Sequence, residues 1–250
     1  MKLYRGNGAE AKQTKMAEKQ VTAPVVETKD IVERAIGFWA KFSKPIIYVG
    51  GALIIVIGGW IGYKYLVLAP KEAKSADVIF PVEKLFDKMA QTGFNKDSIN
   101  LVLNGGNGIT TGVIKIAATY DGTPAGNRAN FMAGACYLHS KDFNKAVKYL
   151  KEFSTSATQV QTVTYLMLGD AYSELKKNED ALEYYKKAAS VNEKDEFMTS
   201  ESLYKAASFA ESIGKSKEAI ELYQKNKEAF PKNAHITDIE KSLARLGIFD

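Results

Sequence analysis

The stretch Tyr165–Ala188, which reads YLMLGDAYSELKKNEDALEYYKKA, decides the fold class of this 250-residue chain. Small and aromatic residues recur along its first part, and a second set recurs after the polar run Lys176–Asp180. The recurring positions are Tyr165, Leu168, Gly169, Tyr172, Ala181, Tyr185 and Ala188. This pattern predicts two helices joined by a turn, because apolar residues at helical spacing mark the buried face of a helix.

The same pattern occurs on each side of this stretch, which indicates an internal repeat. The preceding unit, Asn130–Phe153, carries Gly134, Tyr137, Ala146, Leu150 and Phe153. The following unit, Leu203–Asn226, carries Leu203, Ala207, Ala219 and Tyr223, with Pro231 at its closing position. The three units resemble the 34-residue tetratricopeptide repeat, in which small residues lie where paired helices meet closely.

The sequence before the repeats predicts a helical cap over residues 70–126. Lys71–Gln91 reads as a long helix, Asp97–Leu103 as a short one and Ile109–Tyr120 as a third, and together they resemble a degenerate first repeat. The predicted fold class is therefore all-α. We expect a tetratricopeptide-type α-solenoid of about three repeats (residues 127–250) plus this capping unit, behind one N-terminal transmembrane helix.

An uncharged apolar segment lies near the start of the chain. Ile46–Tyr63 reads IIYVGGALIIVIGGWIGY, and YLVLA extends the run after Lys64. Because about 20 helical residues cross a hydrocarbon core of ~30 Å, we predict a transmembrane helix over residues 45–69 that begins at Pro45. A buried helix of a soluble protein and a cleaved signal peptide are the alternatives. The many glycines disfavour the first, and the 44-residue lead and Pro70 disfavour the second.

Charge is distributed unevenly along the chain. Residues 1–44 carry nine Lys/Arg and five Asp/Glu, whereas residues 69–250 carry 24 of each kind. A short basic tail predicts, by the positive-inside rule, a single-pass protein with its N-terminus in the cytoplasm and its repeat domain outside it. The neutral repeat domain offers no field for a phosphate backbone, so we expect no nucleic-acid partner. Residues 1–30 are polar and lack periodicity, and are predicted to be disordered.

Residues 31–44 predict an amphipathic helix that approaches the membrane. Its apolar residues are Ile31, Val32, Ala35, Ile36, Phe38, Trp39 and Phe42. Such a helix can lie among lipid headgroups before the chain turns in at Pro45, and docking on a partner protein is the alternative. Within the apolar segment, Gly51, Gly58 and Gly62 share one helix face, which allows close approach of a second helix and predicts a membrane partner there.

No pattern in the sequence indicates an enzyme, a cofactor or a metal site. The Gly-rich stretch Asn104–Gly108 lacks the Lys and the preceding strand of a phosphate-binding loop, so we predict a connector. His139 and His235 lie in separate repeats without ligand spacing or a Ser/His/Asp context. The single cysteine, Cys136, lies in an apolar helical stretch and is predicted to be a buried core residue.

The remaining candidate site is a surface formed by the first helix of each repeat, where tetratricopeptide stacks line a groove. The predicted groove residues are Arg128, Phe131, Leu138, Val163, Leu166, Asp170, Tyr204 and Ser208. The first half of this groove is apolar and the last half is polar and acidic. That favours an unfolded or extended protein segment, or a helix with an apolar face, as its ligand. Alternatively, some of these residues pack against Lys71–Gln91 folded back onto them.

The chain as a whole resembles bacterial YfgM-type proteins. The resemblance is carried by Phe38-Trp39, by Gly59-Trp60 with Tyr63 at the end of the apolar segment, and by Tyr120–Ala129 with Ala133–Leu138. It implies an ancillary subunit of the Sec translocon in the bacterial inner membrane, with a periplasmic repeat domain and a chaperone or adaptor role. The implied partners are Sec translocon subunits and a periplasmic chaperone or prolyl isomerase. A structural scaffold of another cell-envelope complex is the alternative. Asp97-Ser-Ile99 resembles a short bacterial O-glycosylation signal at Ser98.

Overall fold

The computed structural model describes residues 28–106 and 110–249, and the chain divides after Trp60 into two units. Most of the tail that the sequence predicts to be disordered, residues 1–27, lies outside the described residues. The described helices are α1 (Thr28–Tyr63), a π-helical turn (Lys64–Leu68), α2 (Ala69–Thr92), α3 (Lys96–Asn104), α4 (Val113–Thr119), α5 (Pro124–His139), α6 (Phe143–Glu152), α7 (Thr158–Glu174), α8 (Asn178–Ala189), α9 (Glu196–Ser212), α10 (Ser216–Ala229) and α11 (Ile236–Arg245).

Helix α1 makes up the described part of the first unit and differs from the prediction at Pro45. The sequence predicts a new helix that begins there, whereas α1 runs through Pro45 without ending. A proline removes one intrahelical hydrogen bond, and the hydrogen bonds before and after it continue the 36-residue helix across Pro45. The large apolar side chains from Ile31 to Trp60 are exposed. The helical residues Ile31–Thr92 include one stretch long and apolar enough to cross a membrane.

The second unit is a stack of helix pairs, α5–α6, α7–α8 and α9–α10, in which each pair packs on the next. The turn inside each pair places one residue in the left-handed region, with φ of 64° at Lys141, 59° at Lys176 and 78° at Gly214. Helices α3 and α4 pack on α5 at one end, and α11 packs on α10 at the other. The predicted all-α tetratricopeptide solenoid is therefore confirmed.

The connector between α3 and α4 contains a short strand pair, β1 (Gly105–Gly106) and β2 (Thr110–Thr111), which are antiparallel. The sequence predicts a helix that starts at Ile109, but α4 starts at Val113. The reason is Gly112, where an added Cβ would lie within 2.5 Å of the backbone nitrogen of Gly105. This close approach requires glycine in an extended conformation and delays the helix.

Candidate protein-interaction site

Small residues under large side chains fix how the two helices of a repeat pack together. At Gly134 an added Cβ would lie 2.5 Å from Cγ of Leu150, and at Gly169 it would lie 2.5 Å from Cδ1 of Tyr185. These contacts turn one side of α5 and α7 toward α6 and α8. The predicted groove residues lie on the same three helices α5, α7 and α9, and we call the surface that they form the groove face. Its members are Arg128, Phe131, Leu138, Val163, Leu166, Asp170, Tyr204 and Ser208.

Helix α2 contacts the first residues of the groove face. The Nε atom of Arg128 donates a hydrogen bond to Oε1 of Glu83 over 2.5 Å. One turn further along both helices, the ring of Phe86 lies edge-on to the ring of Phe131, with 6.4 Å between centroids. Both pairs advance in the same direction, so α2 runs parallel to α5 and partly covers it.

The end of α2 extends this contact to the far end of α5. Beyond Gly93, the ring of Phe94 stacks on the imidazole of His139 with 3.7 Å between centroids. Desolvation by this burial lowers the pKa of His139. Leu138, the neighbouring groove residue, is half-buried. Helix α2 and the residue Phe94 after it therefore contact the part of the groove face that lies on α5.

The middle of the groove face, on α7, is more open and changes from apolar to charged. Val163 is exposed and Leu166 is half-buried. Asp170 accepts a hydrogen bond from the hydroxyl of Tyr185 over 2.7 Å and forms an ion pair of 2.7 Å with Lys205. Burial, followed by the charge of Asp170, raises the pKa of Tyr185. The carboxylate of Asp170 is thus already neutralised within the chain.

An acidic residue in the last part of the groove face, on α9, also has a partner within the chain. Glu201 contacts Nε2 of His235 over 2.6 Å, and the His235 ring stacks on Tyr204 with 4.0 Å between centroids. Ser208, one turn further along α9, is exposed. Histidine therefore links the loop before α11 to the groove face, a role that ligand spacing in the sequence does not reveal.

Glu211 closes the groove face at the end of α9. It accepts hydrogen bonds from Nε of Arg245 over 2.8 Å and from the hydroxyl of Tyr223 over 3.1 Å. The Arg245 hydrogen bond lowers the pKa of the Glu211 carboxyl below its ordinary value. The carboxylates of Asp170 and Glu211 are therefore both paired with cations of later helices.

The sequence and the fold were compared with those of known proteins. The family model described as a tetratricopeptide repeat-like domain matches residues 37–244. The chain belongs to this family. A solved structure described as the crystal structure of MamA protein is similar over 68% of this chain and 81% of its own, with a TM-score of 0.48 and 19% sequence identity. No curated protein matches the sequence. The resemblance of the repeats to the tetratricopeptide pattern is confirmed, and such a domain is a protein-interaction module.

The tetratricopeptide domain retains an open cavity of about 310 Å³ between α2, α5 and the start of α7. Its lining residues are Glu83, Phe86, Asp87, Arg128, Phe131, Met132, Phe153 and Val160. Six of these eight residues lie outside the sequence-predicted groove, which contributes only Arg128 and Phe131. The sequence marks Phe86 as an apolar position of its helix, but it does not show which surface that position meets.

Metal-ligating and nucleophilic side chains were compared with the predictions from the sequence. Across residues 28–106 and 110–249, no three or more His, Cys, Asp or Glu side chains form a group that could hold a metal ion. Cys136 is fully buried, and burial raises the pKa of its thiol to about 12. It therefore stays protonated and packed in the core.

The glycines predicted to form a membrane-partner face meet nothing in the described chain. At Gly51, Gly58 and Gly62, an added Cβ would have no neighbouring heavy atom within 4 Å. The glycines of the repeats, by contrast, lie against Leu150 or Tyr185. Packing within the tetratricopeptide domain therefore explains Gly134 and Gly169, whereas the membrane-partner face stays a prediction.

Proposed function

We propose that this chain is a single-pass protein of the bacterial inner membrane whose tetratricopeptide domain faces the periplasm as an ancillary subunit of the Sec translocon. Its role is that of an adaptor or chaperone toward translocating or periplasmic proteins. The partners are Sec translocon subunits and a periplasmic chaperone or prolyl isomerase. The partner identities come from the resemblance to YfgM-type proteins.

One observation carries the proposal: a single family match spans both an exposed apolar helix and a packed interaction domain. The match over residues 37–244 includes the whole apolar segment, so that segment is a regular part of the domain family. Its side chains are exposed, and Ile55 for example is 76% accessible. Exposed apolar side chains over this length are costly in water and favourable in lipid.

The charge pattern supports the proposed orientation. The nine basic residues before residue 45 favour retention of the tail in the cytoplasm, while the long neutral domain can be translocated. Lipid headgroups are the natural partners of the exposed Phe38, Trp39 and Phe42, which precede the apolar segment.

Ser98, the proposed O-glycosylation site, is half-buried in the first turn of α3. Its backbone N–H donates to Oδ1 of Asn95. Mass spectrometry of the purified chain tests whether Ser98 carries a glycan.

The groove face supports a protein segment as ligand. Its acidic groups are paired within the chain, so it presents no strong net charge to a partner. Val163 and Leu166 offer apolar contacts, and tetratricopeptide domains bind extended or helical segments through such surfaces. This chemistry fits unfolded segments better than a ligand recognised by charge alone.

The test is a mild-detergent purification of the full chain from its own cells, followed by mass spectrometry. We expect channel subunits of the Sec translocon to co-purify. The double substitution Gly58→Leu and Gly62→Leu fills the glycine face and should lower their recovery several-fold without changing the thermal stability of the repeat domain.

Gly50→Leu is the matched control, because residue 50 lies about 100° around the helix from this face and is also free of neighbours within 4 Å. Its recovery of channel subunits should equal that of the unaltered chain. Absence of channel subunits from the unaltered chain refutes the translocon role. Recovery instead of one stable set of other envelope proteins replaces it with the structural-scaffold hypothesis.

A further inference from the structure

We propose that the cavity between α2, α5 and α7 receives one bulky apolar side chain of a bound protein segment, and that Asp87 binds a lysine or arginine of the same segment. This inference rests on the proposed function, in which the domain receives protein segments, and it names the chemistry that the segment must carry.

The walls of the cavity are apolar and held in place. The ring of Phe131 lies 5.1 Å from that of Phe153 and 6.4 Å from that of Phe86, measured between centroids. Met132 is 4% exposed and Phe153 is 8% exposed, so neither side chain is free to fill the space. A cavity of about 310 Å³ reaches the lower end of the range for small-ligand pockets, which is ample for one leucine or phenylalanine side chain.

An apolar strip leads out of the cavity along α7. Val160 lines the cavity and is 38% exposed, and Val163, one turn later, is equally exposed. Leu166 follows on the same face of the helix. These residues continue an apolar track that α2 does not cover, because Phe86 and Phe94 of that segment pack toward α5. A bound segment therefore has a defined direction, from the cavity toward Leu166.

The charged residues that line the cavity indicate why the bound segment should carry a lysine or arginine. Of the charged residues that line it, Arg128 and Glu83 form an ion pair, which cancels both charges. Asp87 is exposed, and within residues 28–106 and 110–249 no hydrogen bond or ion pair joins it. The lining therefore carries one uncompensated negative charge beside an apolar pocket, and a cation on the ligand complements it.

In a larger cavity of about 680 Å³ beside α8 and α10, by contrast, the lysines that line it are paired with carboxylates. Lys186 pairs with Glu218 over 2.7 Å, and Lys215 pairs with Glu179 over 2.6 Å. The remaining lysine at that site, Lys187, pairs with Glu183 of its own helix. Every lysine of that cavity is balanced within the chain, so it selects no charge in a ligand.

The test measures binding of three labelled 12-residue peptides to the full chain in lipid nanodiscs by fluorescence anisotropy. The first peptide carries a leucine with a lysine three residues away, the second replaces that lysine by glutamate, and the third replaces the leucine by serine. We expect the first to bind most tightly. Asp87→Asn should weaken the first peptide about two- to fivefold and abolish its advantage over the second, since an exposed ion pair contributes modestly. Asp77→Asn, an exposed carboxylate elsewhere on α2, is the matched control and should change nothing.

A second variant tests the apolar half of the proposal. Val160→Gln should weaken the first and second peptides alike by about fivefold, because it removes apolar surface from the cavity mouth. Phe197→Gln, at an exposed apolar residue of α9, is the control. Both altered cavity residues are solvent-accessible, and circular dichroism confirms that each variant is folded.

Two results would overturn the cavity proposal: equal binding of the leucine and serine peptides, or a lysine preference that survives Asp87→Asn. These outcomes are separable from the translocon role. Peptide selectivity without co-purified channel subunits leaves the cavity proposal standing and removes the translocon. Co-purified channel subunits without peptide selectivity support the translocon role and refute the cavity proposal.

Discussion

Substitution of Gly169 by alanine tests whether the close approach of α7 and α8 sets the stability of the stack. The added Cβ would lie 2.5 Å from Cδ1 and 2.9 Å from Cζ of Tyr185. The Tyr185 ring cannot easily move away, because it is 3% exposed and its hydroxyl donates to Asp170 over 2.7 Å. On its other side it packs edge-on against Phe209, with 5.2 Å between centroids.

Two opposing effects determine the magnitude. Alanine is favoured over glycine in a helix interior by about 1 kcal/mol. Carbon atoms in contact prefer a separation of ~3.5 Å, so the ring must shift by roughly 1 Å. Overpacking costs about 1–3 kcal/mol, and because the Tyr185 ring is confined on both sides we take the upper part of that range, about 2–3 kcal/mol. The net effect of Gly169→Ala is then a loss of about 1–2 kcal/mol. In a domain of this size, 1 kcal/mol lowers Tm by about 2–4 °C, which gives a fall of about 2–8 °C.

The assay is thermal unfolding of the full chain followed by circular dichroism, repeated in two Tyr185 backgrounds. Tyr185→Phe keeps the ring atoms near the added Cβ but removes the hydrogen bond to Asp170, so Gly169→Ala should still cost most of what it costs in the unaltered chain. Tyr185→Leu removes two of the three ring atoms near the added Cβ, so the cost should shrink. A rise in Tm on Gly169→Ala, or an equal fall in both backgrounds, would show that the ring contact is not the cause.

Two further predictions concern the contacts around the groove face. Phe94→Ala removes the stack on His139 and should speed hydrogen exchange in the last turns of α2, measured by mass spectrometry, while Phe80→Ala at an exposed site should not. Arg245→Gln tests the lowered pKa of Glu211. A lowered folded-state pKa stabilises the fold above the ordinary value of 4.5, and that contribution is lost as pH falls through the folded-state pKa. The free energy of unfolding, measured in urea, should therefore fall more steeply below pH 4.5 for the unaltered chain than for Arg245→Gln. Identical pH dependence of the two free energies would contradict this account.

The repeat architecture could be predicted because it depends on the local spacing of small and aromatic residues within each helix pair. Gly134 and Gly169 occupy equivalent slots, and in the structure each lies under a large side chain of its partner helix. The 35- and 38-residue offsets between repeats reappear in the turns, where Lys141, Lys176 and Gly214 adopt the same left-handed conformation. Spacing in the sequence fixes these positions because each contact joins neighbouring helices.

The occupancy of the groove face could not be predicted in this way. The apolar positions of α2 show that one of its faces is buried, but Arg128 lies 45 residues from Glu83, and no local pattern links the two. The same holds for His235, which is paired with Glu201 across 34 residues. At Pro45, a local rule favoured a helix start, but the loss of one hydrogen bond within a 36-residue helix does not end the helix there.

The pairing of charges along the groove face bears on what kind of ligand the domain can select. Asp170 is paired with Lys205, and Glu211 with Arg245, which in each case joins one repeat to the next element of the stack. A ligand cation that competed for these carboxylates would have to displace a partner already in place, so it would gain little net free energy. Asp87 has no such internal competitor, so a cation bound there gains the modest free energy of an exposed ion pair without displacing a partner. Charge selection is therefore expected at the α2 end of the groove face, while the α9 end contributes shape and hydrogen bonds.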